Sequence, residues 1–378
     1  MKARTLLLAL LLSLAGAGPS YALSIETPAT HAILIDVDTG MVLLDKNADA
    51  HMPTSSMSKT MTLYMVFEML KQGQVKLTDE LPVSEKAWRM QGSKMFIKVG
   101  SKVKVEDLIR GVAIQSGNDA TITLAEGLAG TEEALVERMN IRAKELGMLN
   151  SRFMNVSGWP DPGHYSTPRD LAILARHLIS DFPEYYHYFG EKDFTYNKIR
   201  QPNRDPLLGK VQGSDGIKTG HTEIAGYGLI GSATRNGRRL VLVANGLESE
   251  KARAEEGAKL IEWGFRNFEN RGLFKKGEQV GTADVWLGQE DTVPLVADKD
   301  LTVVLPLSRR AEMKMTVSYK FPLEAPLKKG ASVAKLHVFI PDQPSIEVSL
   351  VAGNDVARTG LFGRVAARFQ YLLKKYQQ

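Results

Sequence analysis

The sequence predicts an α+β fold in which an antiparallel sheet carries helices on its faces, followed by a small all-β domain and a C-terminal amphipathic helix. Three observations predict it. Hairpin-like β patterns lie near both ends of residues 23–268, with helical patterns between them. Short alternating strands separated by Pro, Gly and charged residues fill 269–357. Residues 358–378 then place their apolar side chains on one helical face.

The sheet of the first domain is predicted from two separated β segments. Apolar runs at 32–36 and 41–44 flank an Asp/Gly turn and indicate an antiparallel hairpin. The β pattern returns over 217–247, where Asn236-Gly237 between two apolar runs is typical of a hairpin turn. The economical arrangement pairs the two ends of the domain in one sheet and packs the intervening helices on it.

Helical patterns occupy most of the chain between these β segments. Thr167 followed by Pro168 is typical of a helix N-terminus, with Thr167 as the N-cap. Residues 74–105 predict irregular chain with short strands. The predicted helices span 59–70, 105–114, 120–128, 131–146, 168–179 and 251–268.

The first 22 residues are typical of a secretory signal peptide. Lys2 and Arg4 precede an apolar Leu/Ala run, and Ser20-Tyr21-Ala22 forms a small-x-small cleavage site. The alternative is an uncleaved membrane anchor, but the apolar run is short for a span that needs about 20 residues. We therefore expect cleavage after Ala22 and export of the remaining chain.

Composition excludes several classes of function. The formal net charge of +5 falls to +3 once Lys2 and Arg4 leave with the signal peptide, which is too near neutral for nucleic-acid binding. The absence of Cys excludes thiol catalysis and Cys-ligated metal. The 7 His residues show no HExxH spacing, and the chain contains no Gly-x-Ser-x-Gly elbow. No metal or organic cofactor is therefore predicted.

A candidate nucleophile lies at the start of the first predicted helix. Ser56 precedes Lys59 by three positions, so on a helix their side chains share one face and the Ser56 hydroxyl meets the Lys59 amine. Free backbone N–H groups in the first turn suit a developing oxyanion. The spacing alone is not distinctive, because Ser-x-x-Lys recurs at Ser101–Lys104 and Ser332–Lys335.

Two further motifs follow Ser56–Lys59. Ser116-Gly117-Asn118 falls in a predicted helix–helix connection, where a loop presents side chains to a cleft. Lys218-Thr219-Gly220 falls at the start of a predicted strand, and each of the two motifs occurs once in the chain. Ser-x-x-Lys, Ser-x-Asn and Lys-Thr-Gly in this order are the motif set of penicillin-binding proteins and serine β-lactamases.

With these motifs, the sequence resembles the serine D-alanyl-D-alanine carboxypeptidases, the low-molecular-mass penicillin-binding proteins of the bacterial envelope. The resemblance spans nearly the whole mature chain, including the β-rich domain and the amphipathic tail. Its most specific stretches are 56–59 (SMSK), 91–96 (QGSKMF) through 108–111 (LIRG), 115–120 (QSGNDA) and 215–222 (DGIKTGHT).

The resemblance implies a role for each motif residue in the first, covalent step. Ser56 attacks the carbonyl of the penultimate D-alanine in a peptidoglycan stem peptide, and Lys59 acts as the base. Lys59 must then be neutral, which means lowering its pKa by ~3 units. Burial and the positive charge of Lys218 are expected to do so. Ser116 is expected to relay a proton to the departing amine, and Asn118 to position Lys59 and the substrate amide.

The resemblance also implies a binding site for the substrate's terminal carboxylate. Lys218 and Thr219 are expected to hold it, helped by Arg204 in a pair, Asn203-Arg204, similar to one in the family. The backbone N–H groups of Ser56 and His221 are expected to form the oxyanion hole. The remaining motif residue, Gly220, is counted among the substrate-binding residues.

One segment of the related class A β-lactamases is missing. Those enzymes carry Glu-x-x-Leu-Asn between the second and third motifs, and its glutamate drives deacylation. The interval 119–217 contains no such segment, so a penicilloyl-enzyme is expected to be long-lived and β-lactams to act as covalent inhibitors. Open alternatives are a D,D-endopeptidase or a weak β-lactamase on the same scaffold, and a non-catalytic penicillin-binding sensor.

The C-terminal tail is predicted to bind a membrane surface. Its apolar residues cover an arc of roughly 140° of the predicted helix, and Arg364, Arg368, Lys374 and Lys375 lie opposite. The charges forbid spanning, whereas aromatic residues beside a basic face suit anionic headgroups. The alternative is a terminal helix docked on the β-rich domain. The sequence thus predicts peripheral attachment on the periplasmic side of the cytoplasmic (inner) membrane.

Overall fold

The computed structural model describes residues 25–341 and 343–360, together with the backbone of a two-residue strand, β1 (Thr5–Leu6). Apart from that strand, the predicted signal peptide lies outside the described residues, as does the predicted anchor helix from residue 361 onward. The chain divides into two compact units between Arg266 and Asn267. The division lies two residues before the boundary expected from the sequence.

The first unit is built on a five-stranded antiparallel sheet. The nine strands described in this unit are, in chain order, β2 (His31–Asp36), β3 (Val42–Lys46), β4 (Glu80–Pro82), β5 (Lys102–Lys104), β6 (Asp193–Tyr196), β7 (Ile199–Pro202), β8 (Ser214–Thr222), β9 (Gly226–Arg235) and β10 (Arg238–Leu247). The large sheet has the order β3-β2-β10-β9-β8, while β4–β5 and β6–β7 form separate two-stranded pairs. The two ends of the unit therefore share one sheet through the β2–β10 pairing, as predicted.

The hairpin between β9 and β10 turns at Asn236-Gly237. Both residues adopt positive φ, at 50° and 78°, which is the conformation of a type I′ turn and the reason Asn-Gly is favoured there. The turn places Arg235 opposite Arg238 and fixes the register of the two longest strands of the sheet.

The helices of the first unit are α1 (Lys59–Lys71), α2 (Glu85–Arg89), α3 (Val105–Ala113), α4 (Asn118–Ala129), α5 (Glu132–Glu145), α6 (Pro168–Asp181) and α7 (Glu250–Asn267), with 3-10 turns at Ser55–Ser58 and Tyr186–Gly190. The N-cap of α6 is as predicted, because the Asp170 N–H donates to Thr167 Oγ1 at 3.1 Å. The segment 74–105, for which the sequence predicts no helix, contains α2, which Ser84 caps by accepting from the Ala87 N–H.

Helix α1 occupies the centre of the first unit. Every residue from Lys59 to Phe67 is buried, so this part of the helix has no solvent face and its sequence shows no strong amphipathic pattern. Helix α4 begins two residues earlier than predicted, because the Thr121 N–H already donates to the Gly117 carbonyl at 3.1 Å. Asn118 is therefore the first residue of a helix rather than part of a loop.

The second unit is all β, as predicted. Its strands are β11 (Phe268–Phe274), β12 (Gln279–Trp286), β13 (Thr292–Ala297), β14 (Leu301–Pro306), β15 (Lys314–Tyr319), β16 (Leu323–Glu324), β17 (Ser332–Phe339) and β18 (Ile346–Ala352). One sheet has the order β1-β15-β17-β18-β13-β12-β16, and β11 pairs with β14. Phe268, expected to end a helix, instead begins β11 opposite Pro306. Within 25–341 and 343–360, no helix combines the length and apolar character needed to cross a membrane.

Candidate active site

The 3-10 turn Ser55–Ser58 packs directly against the edge strand β8. A β-carbon on Gly220 would lie 2.9 Å from the carbonyl oxygen of Thr54, and the Ser55 hydroxyl donates to Thr222 Oγ1 at 3.2 Å. Glycine at position 220 therefore allows the strand that carries Lys-Thr-Gly to approach the turn that carries the candidate nucleophile.

Ser56 and Lys59 are brought together as their spacing predicts. The Lys59 Nζ donates to Ser56 Oγ at 2.8 Å and to the carbonyl oxygen of Ser157 at 2.8 Å. Lys59 has no exposed surface, and the backbone carbonyl that receives its second hydrogen bond carries no negative charge. The lysine thus lies in a site that favours the neutral amine.

The pKa of Lys59 reflects this environment. Burial first, and then the positive charge of Arg204, lower it from 10.5 to about 7, against the opposing effect of the Asp119 carboxylate. The neighbouring cation expected from the sequence was Lys218. In the structure Arg204 supplies that charge for Lys59, while Lys59 in turn lowers the pKa of Lys218.

Ser116 lies in the connection between α3 and α4 with a positive φ of 63°. Its side chain is buried, and its Oγ has no hydrogen-bond partner among the described residues. A buried hydroxyl without a partner costs stability. Such a hydroxyl, free to donate and accept, suits a group that exchanges a proton with a bound substrate.

Asn118 and Asp119 hold the segment that faces the α3–α4 connection. The Asn118 side chain donates to the Gln91 carbonyl at 2.7 Å, and the Asp119 carboxylate accepts from the backbone N–H groups of Met95 and Phe96 at 2.8 and 2.9 Å. The contact expected between Asn118 and Lys59 is not among the hydrogen bonds of the described residues. Asn118 thus positions the 91–93 segment, a role that its motif did not indicate.

Lys218 and Thr219 lie in the middle of β8, not at its start, and both are buried. The Lys218 Nζ donates to the Thr219 carbonyl at 3.0 Å. Burial and the charges of Lys59, Arg204 and Arg253 hold the pKa of Lys218 well below its ordinary value. A bound carboxylate would offset this repulsion, so the arrangement favours an anionic ligand.

Two predicted binding residues border this group. The His221 ring stacks on Tyr227 with ring centroids 3.9 Å apart, and its side chain is exposed. The Arg204 guanidinium donates to Ser93 Oγ. The loop that carries Arg204 is held by Asn203, whose side-chain amide donates to two backbone carbonyls at 3.0 and 2.8 Å.

Two charged residues of this cluster were not predicted from the sequence. Burial raises the pKa of Asp205 to about 6, and its Oδ1 accepts from the Leu207 N–H at 2.9 Å. Arg253, on α7, is buried with its guanidinium 5.5 Å from the centroid of the Tyr227 ring. Asp205 directly follows the Asn203-Arg204 pair, and that position could have identified it as a residue near the site. Arg253 lies on an ordinary charged helix, where nothing in the sequence distinguishes it.

Lys59 contacts Ser56 directly, and the Arg204 guanidinium and the Lys218 amine are close enough to Lys59 for their charges to interact. Such groups can exchange protons and bind an anion. Within 25–341 and 343–360, no set of three or more His, Asp or Glu side chains is arranged to bind a metal ion.

Comparison with known proteins identifies the family. The model of the family described as D-alanyl-D-alanine carboxypeptidase matches residues 19–248, and that described as penicillin-binding protein 5, C-terminal domain, matches 268–358. The chain belongs to the D-alanyl-D-alanine carboxypeptidase family. The predicted fold class and the predicted enzyme class, a serine-type D-alanyl-D-alanine carboxypeptidase, are thereby confirmed.

The chain is similar to two individual proteins over nearly its full length, and to a third over 64% of it. The chain is 40% identical over 366 residues to D-alanyl-D-alanine carboxypeptidase DacC of Escherichia coli, which covers 94% of this chain and 91% of the relative. Penicillin-binding protein 5 of Haemophilus influenzae has a similar structure, with a TM-score of 0.79 at 37% identity, over 91% of this chain and 100% of that one. Ampicillin-bound penicillin-binding protein D2 of Listeria monocytogenes has a TM-score of 0.59 at 32% identity, over 64% of this chain and 99% of that one.

Proposed function

We propose that the protein removes the terminal D-alanine from peptidoglycan stem peptides through an acyl-enzyme on Ser56. The observation that carries this proposal is the 2.8 Å contact between Ser56 Oγ and the Nζ of a fully buried Lys59. With a pKa of about 7, a large fraction of Lys59 is neutral at physiological pH. A neutral amine at this distance accepts the hydroxyl proton as Ser56 attacks.

In the acylation step, Ser56 Oγ forms a bond to the carbonyl carbon of the penultimate D-alanine while its proton passes to Lys59. The amide C–N bond then breaks, and the leaving amine of the terminal D-alanine receives a proton. The buried hydroxyl of Ser116, which has no hydrogen-bond partner in the described part of the chain, is the group proposed to pass that proton on. Backbone N–H groups of Ser56 and His221 are proposed to stabilise the oxyanion.

In the deacylation step, water attacks the ester carbonyl and gives its proton to Lys59. The Ser56 ester bond breaks, Ser56 regains a proton and the shortened peptide leaves. The same lysine therefore acts in both halves of the reaction, first for the serine hydroxyl and then for water.

The terminal carboxylate of the substrate is proposed to bind at Lys218, Thr219 and Arg204. Mutual repulsion among Lys59, Lys218 and Arg204 is relieved when an anion enters. Charge-assisted hydrogen bonds to a carboxylate are among the stronger ones in proteins. Asn118 and Gly220 serve the site by keeping the 91–93 segment and β8 in place.

The upstream part of the stem peptide is proposed to follow the free edge of β8. An edge strand leaves backbone groups that an extended peptide can pair with. A cavity of about 690 Å³ lies beside this edge, lined in part by Trp159, Thr222 and Ile224. Thr222 lies three residues along β8 from Thr219. Extended chains rise about 3.3 Å per residue, so three residues of an extended substrate would reach from Thr219 to Thr222.

β-Lactams are proposed to acylate Ser56 and to remain bound. The second hydrogen bond of Lys59 goes to the backbone carbonyl of Ser157, and the interval 119–217 contains no Glu-x-x-Leu-Asn segment that would supply a deacylating glutamate. The ampicillin-bound relative from Listeria monocytogenes supports binding of such compounds by this fold. Rapid turnover of penicillin would overturn this part of the proposal.

Export and peripheral attachment to the periplasmic face of the cytoplasmic membrane are proposed from the sequence patterns of residues 1–22 and 358–378. Vesicle sedimentation of the mature chain, compared with a chain ending at Gly360, tests the attachment. Equal sedimentation of the two forms with anionic vesicles would contradict a role for the tail.

The experiment that tests the activity is release of free D-alanine from a pentapeptide ending in D-Ala-D-Ala, by wild type and by Ser56→Ala. Release by wild type alone is the expected result. Undiminished release by the mutant would show that the nucleophile is another residue. No release by either protein, with penicillin still labelling wild type, would instead favour the endopeptidase or the sensor.

A further inference from the structure

Three buried polar side chains form a connected chain behind the candidate nucleophile. Thr54 Oγ1 lies 2.5 Å from Ser58 Oγ, and Ser58 Oγ lies 2.7 Å from Nε2 of His164. The three residues are at most 6% exposed. Thr54 and Ser58 flank Ser56 by two residues on either side, so their hydroxyls bridge the turn that carries it.

The direction of the hydrogen bonds in this chain is fixed from the histidine end. The backbone N–H of Met154 donates to His164 Nδ1 at 3.3 Å, which requires an unprotonated Nδ1 and places the ring proton on Nε2. Nε2–H then donates to Ser58 Oγ, and the Ser58 hydroxyl donates to Thr54 Oγ1. In an imidazolium, Nδ1 would carry a proton that points at the Met154 N–H. This set of hydrogen bonds therefore requires the neutral ring.

The two hydroxyls do not have the role expected from their positions. Ser58 directly precedes helix α1 and Thr54 directly precedes the 3-10 turn, where such side chains usually cap the helix. Within residues 25–341 and 343–360, neither side chain makes a capping hydrogen bond. Both are instead used in the contact with each other and with His164, so capping does not explain why they are held here.

The backbone around His164 is held on both sides. The His164 N–H donates to the Asp161 carbonyl at 3.0 Å. The next residue, Tyr165, pairs with Arg152, and Ser166 pairs with Met52. The backbone on both sides of His164 is therefore hydrogen-bonded, which fixes the position of its ring beside the turn.

We propose that His164 is a positioning residue for catalysis: through Ser58 and Thr54 it holds the turn so that Ser56 Oγ stays within reach of Lys59. The proposal rests on the proposed function of Ser56 and adds a residue that the motifs do not contain. An error of about 1 Å in a reacting group costs on the order of 10²-fold in rate. A device that removes freedom from this turn therefore acts on the rate of acylation.

The surroundings of His164 keep its ring neutral. Burial lowers the pKa of His164 to about 4, with the positive charge of Lys59 acting in the same direction and the Asp161 carboxylate opposing it. The ring also stands edge-on to Phe153, with centroids 5.6 Å apart. The hydrogen-bond direction is therefore maintained throughout the pH range in which Lys59 titrates.

The test compares His164→Ala with His164→Gln. A glutamine amide donates through its nitrogen to Ser58 and accepts through its oxygen from the Met154 N–H, which reproduces both bonds of the neutral ring. We expect the rate constant for penicillin acylation of Ser56 to fall about 10- to 100-fold in His164→Ala. We expect His164→Gln to stay within about 3-fold of wild type.

A matched control separates positioning from general destabilisation. Leu178→Ala removes a buried side chain of α6 in the same core and should lower the melting temperature without lowering the acylation rate constant. Ser58→Ala should reproduce the loss seen in His164→Ala, and the double variant should lose little more, because the two residues act as one unit. Wild-type acylation in His164→Ala or in Ser58→Ala would overturn the proposal, as would equal losses in His164→Ala and His164→Gln.

Nitrogen NMR of wild type tests the hydrogen-bond direction without any variant. The expected spectrum shows the neutral Nε2–H tautomer of His164 from pH 5 upward, and an Nδ1–H tautomer would overturn the proposal. Failure of the proposed function would be seen separately, as D-alanine release that survives Ser56→Ala. The His164 results are ratios of the penicillin-acylation rate constant of each variant to that of wild type. They therefore test the role of His164 separately from the D-alanine release that tests Ser56.

Discussion

Gly158 packs against the carbonyl oxygen of Ser55 so closely that a β-carbon at position 158 would lie 1.8 Å from it. The contact joins the loop that supplies the Ser157 carbonyl to Lys59 with the turn that carries Ser56. Gly158 also has a φ of +76°, which disfavours a side chain. The base and the nucleophile are thus held by one backbone contact that only glycine allows.

Gly158→Ala should therefore reduce acylation of Ser56 by at least about 100-fold, because loop and turn must move apart. The matched control is Gly73→Ala: Gly73 has a φ of +70°, but no other atom of the described residues lies in contact, within 4 Å, with the added β-carbon. It carries the backbone strain without the collision and should cost about 1 kcal/mol of unfolding free energy with normal acylation. Equal acylation by the two variants would show that the contact has no role.

Much of the site follows from local sequence signals. The Asn236-Gly237 turn, the Thr167 N-cap and the three motifs each depend on residues within a few positions of one another, where turn, cap and helix geometry act directly. The Ser-x-x-Lys spacing, one of these signals, correctly predicted the contact between Ser56 and Lys59. The sheet shared by both ends of the first unit was also correctly predicted, from the two separated β segments and the economy of pairing them.

The rest depends on contacts between residues far apart in the chain. His164 lies 106 positions from Ser58, and no local pattern marks it. The Asn203-Arg204 pair marked Arg204 as a binding residue, but not as the cation that lowers the pKa of Lys59. The Asn118 amide donates to the Gln91 carbonyl, and within the described residues no hydrogen bond joins it to Lys59, because the packing of separate segments decides which partner is near. Helix α2 was the avoidable omission, since Ser84-Glu85 is an ordinary N-terminal signal.

The acylation rate should depend on pH through Lys59. The neutral amine is the active form, so the rate constant for penicillin acylation should rise as pH increases through about 7 and level off above it. Removal of the Arg204 charge removes one cause of the low pKa, so in Arg204→Met the rise should move to higher pH. Stopped-flow acylation between pH 5 and 9 measures this.

The control for that profile is Arg200→Met. Arg200 is an exposed arginine of β7 that pairs with Asp193 at 2.6 Å and is not among the charges that act on Lys59. Its profile should coincide with wild type. A profile for Arg204→Met that does not move would show that its charge has no effect on the base.

Replacement of Lys59 by Met should abolish acylation and change how stability depends on pH. Because the pKa of Lys59 is about 7 in the folded state and 10.5 in its ordinary state, the unfolded chain binds more protons between these values. Wild-type stability therefore gains from Lys59 as pH rises through that window, and the gain is absent below pH 7. Lys59→Met lacks this dependence.

The measurement is the difference in unfolding free energy between Lys59→Met and wild type at pH 6 and pH 9. We expect the unfolding free energy of wild type to rise relative to that of Lys59→Met by about 3 kcal/mol over that interval. Lys210→Met, at an exposed lysine, should show a difference that does not change with pH. A constant difference for Lys59→Met would mean that Lys59 keeps an ordinary pKa in the folded protein.

Lys218 should distinguish a substrate with a free terminal carboxylate from one in which it is an amide. A charge-assisted hydrogen bond contributes about 1.5–3 kcal/mol, so wild type should prefer the carboxylate by on the order of 10- to 100-fold in kcat/KM. Lys218→Gln removes the charge and should lose most of that preference by reacting more slowly with the acid. Lys251→Gln, at an exposed lysine of α7, should keep it. If Lys218→Gln retained the full preference, the carboxylate would have to be held by Arg204 and Thr219 without Lys218.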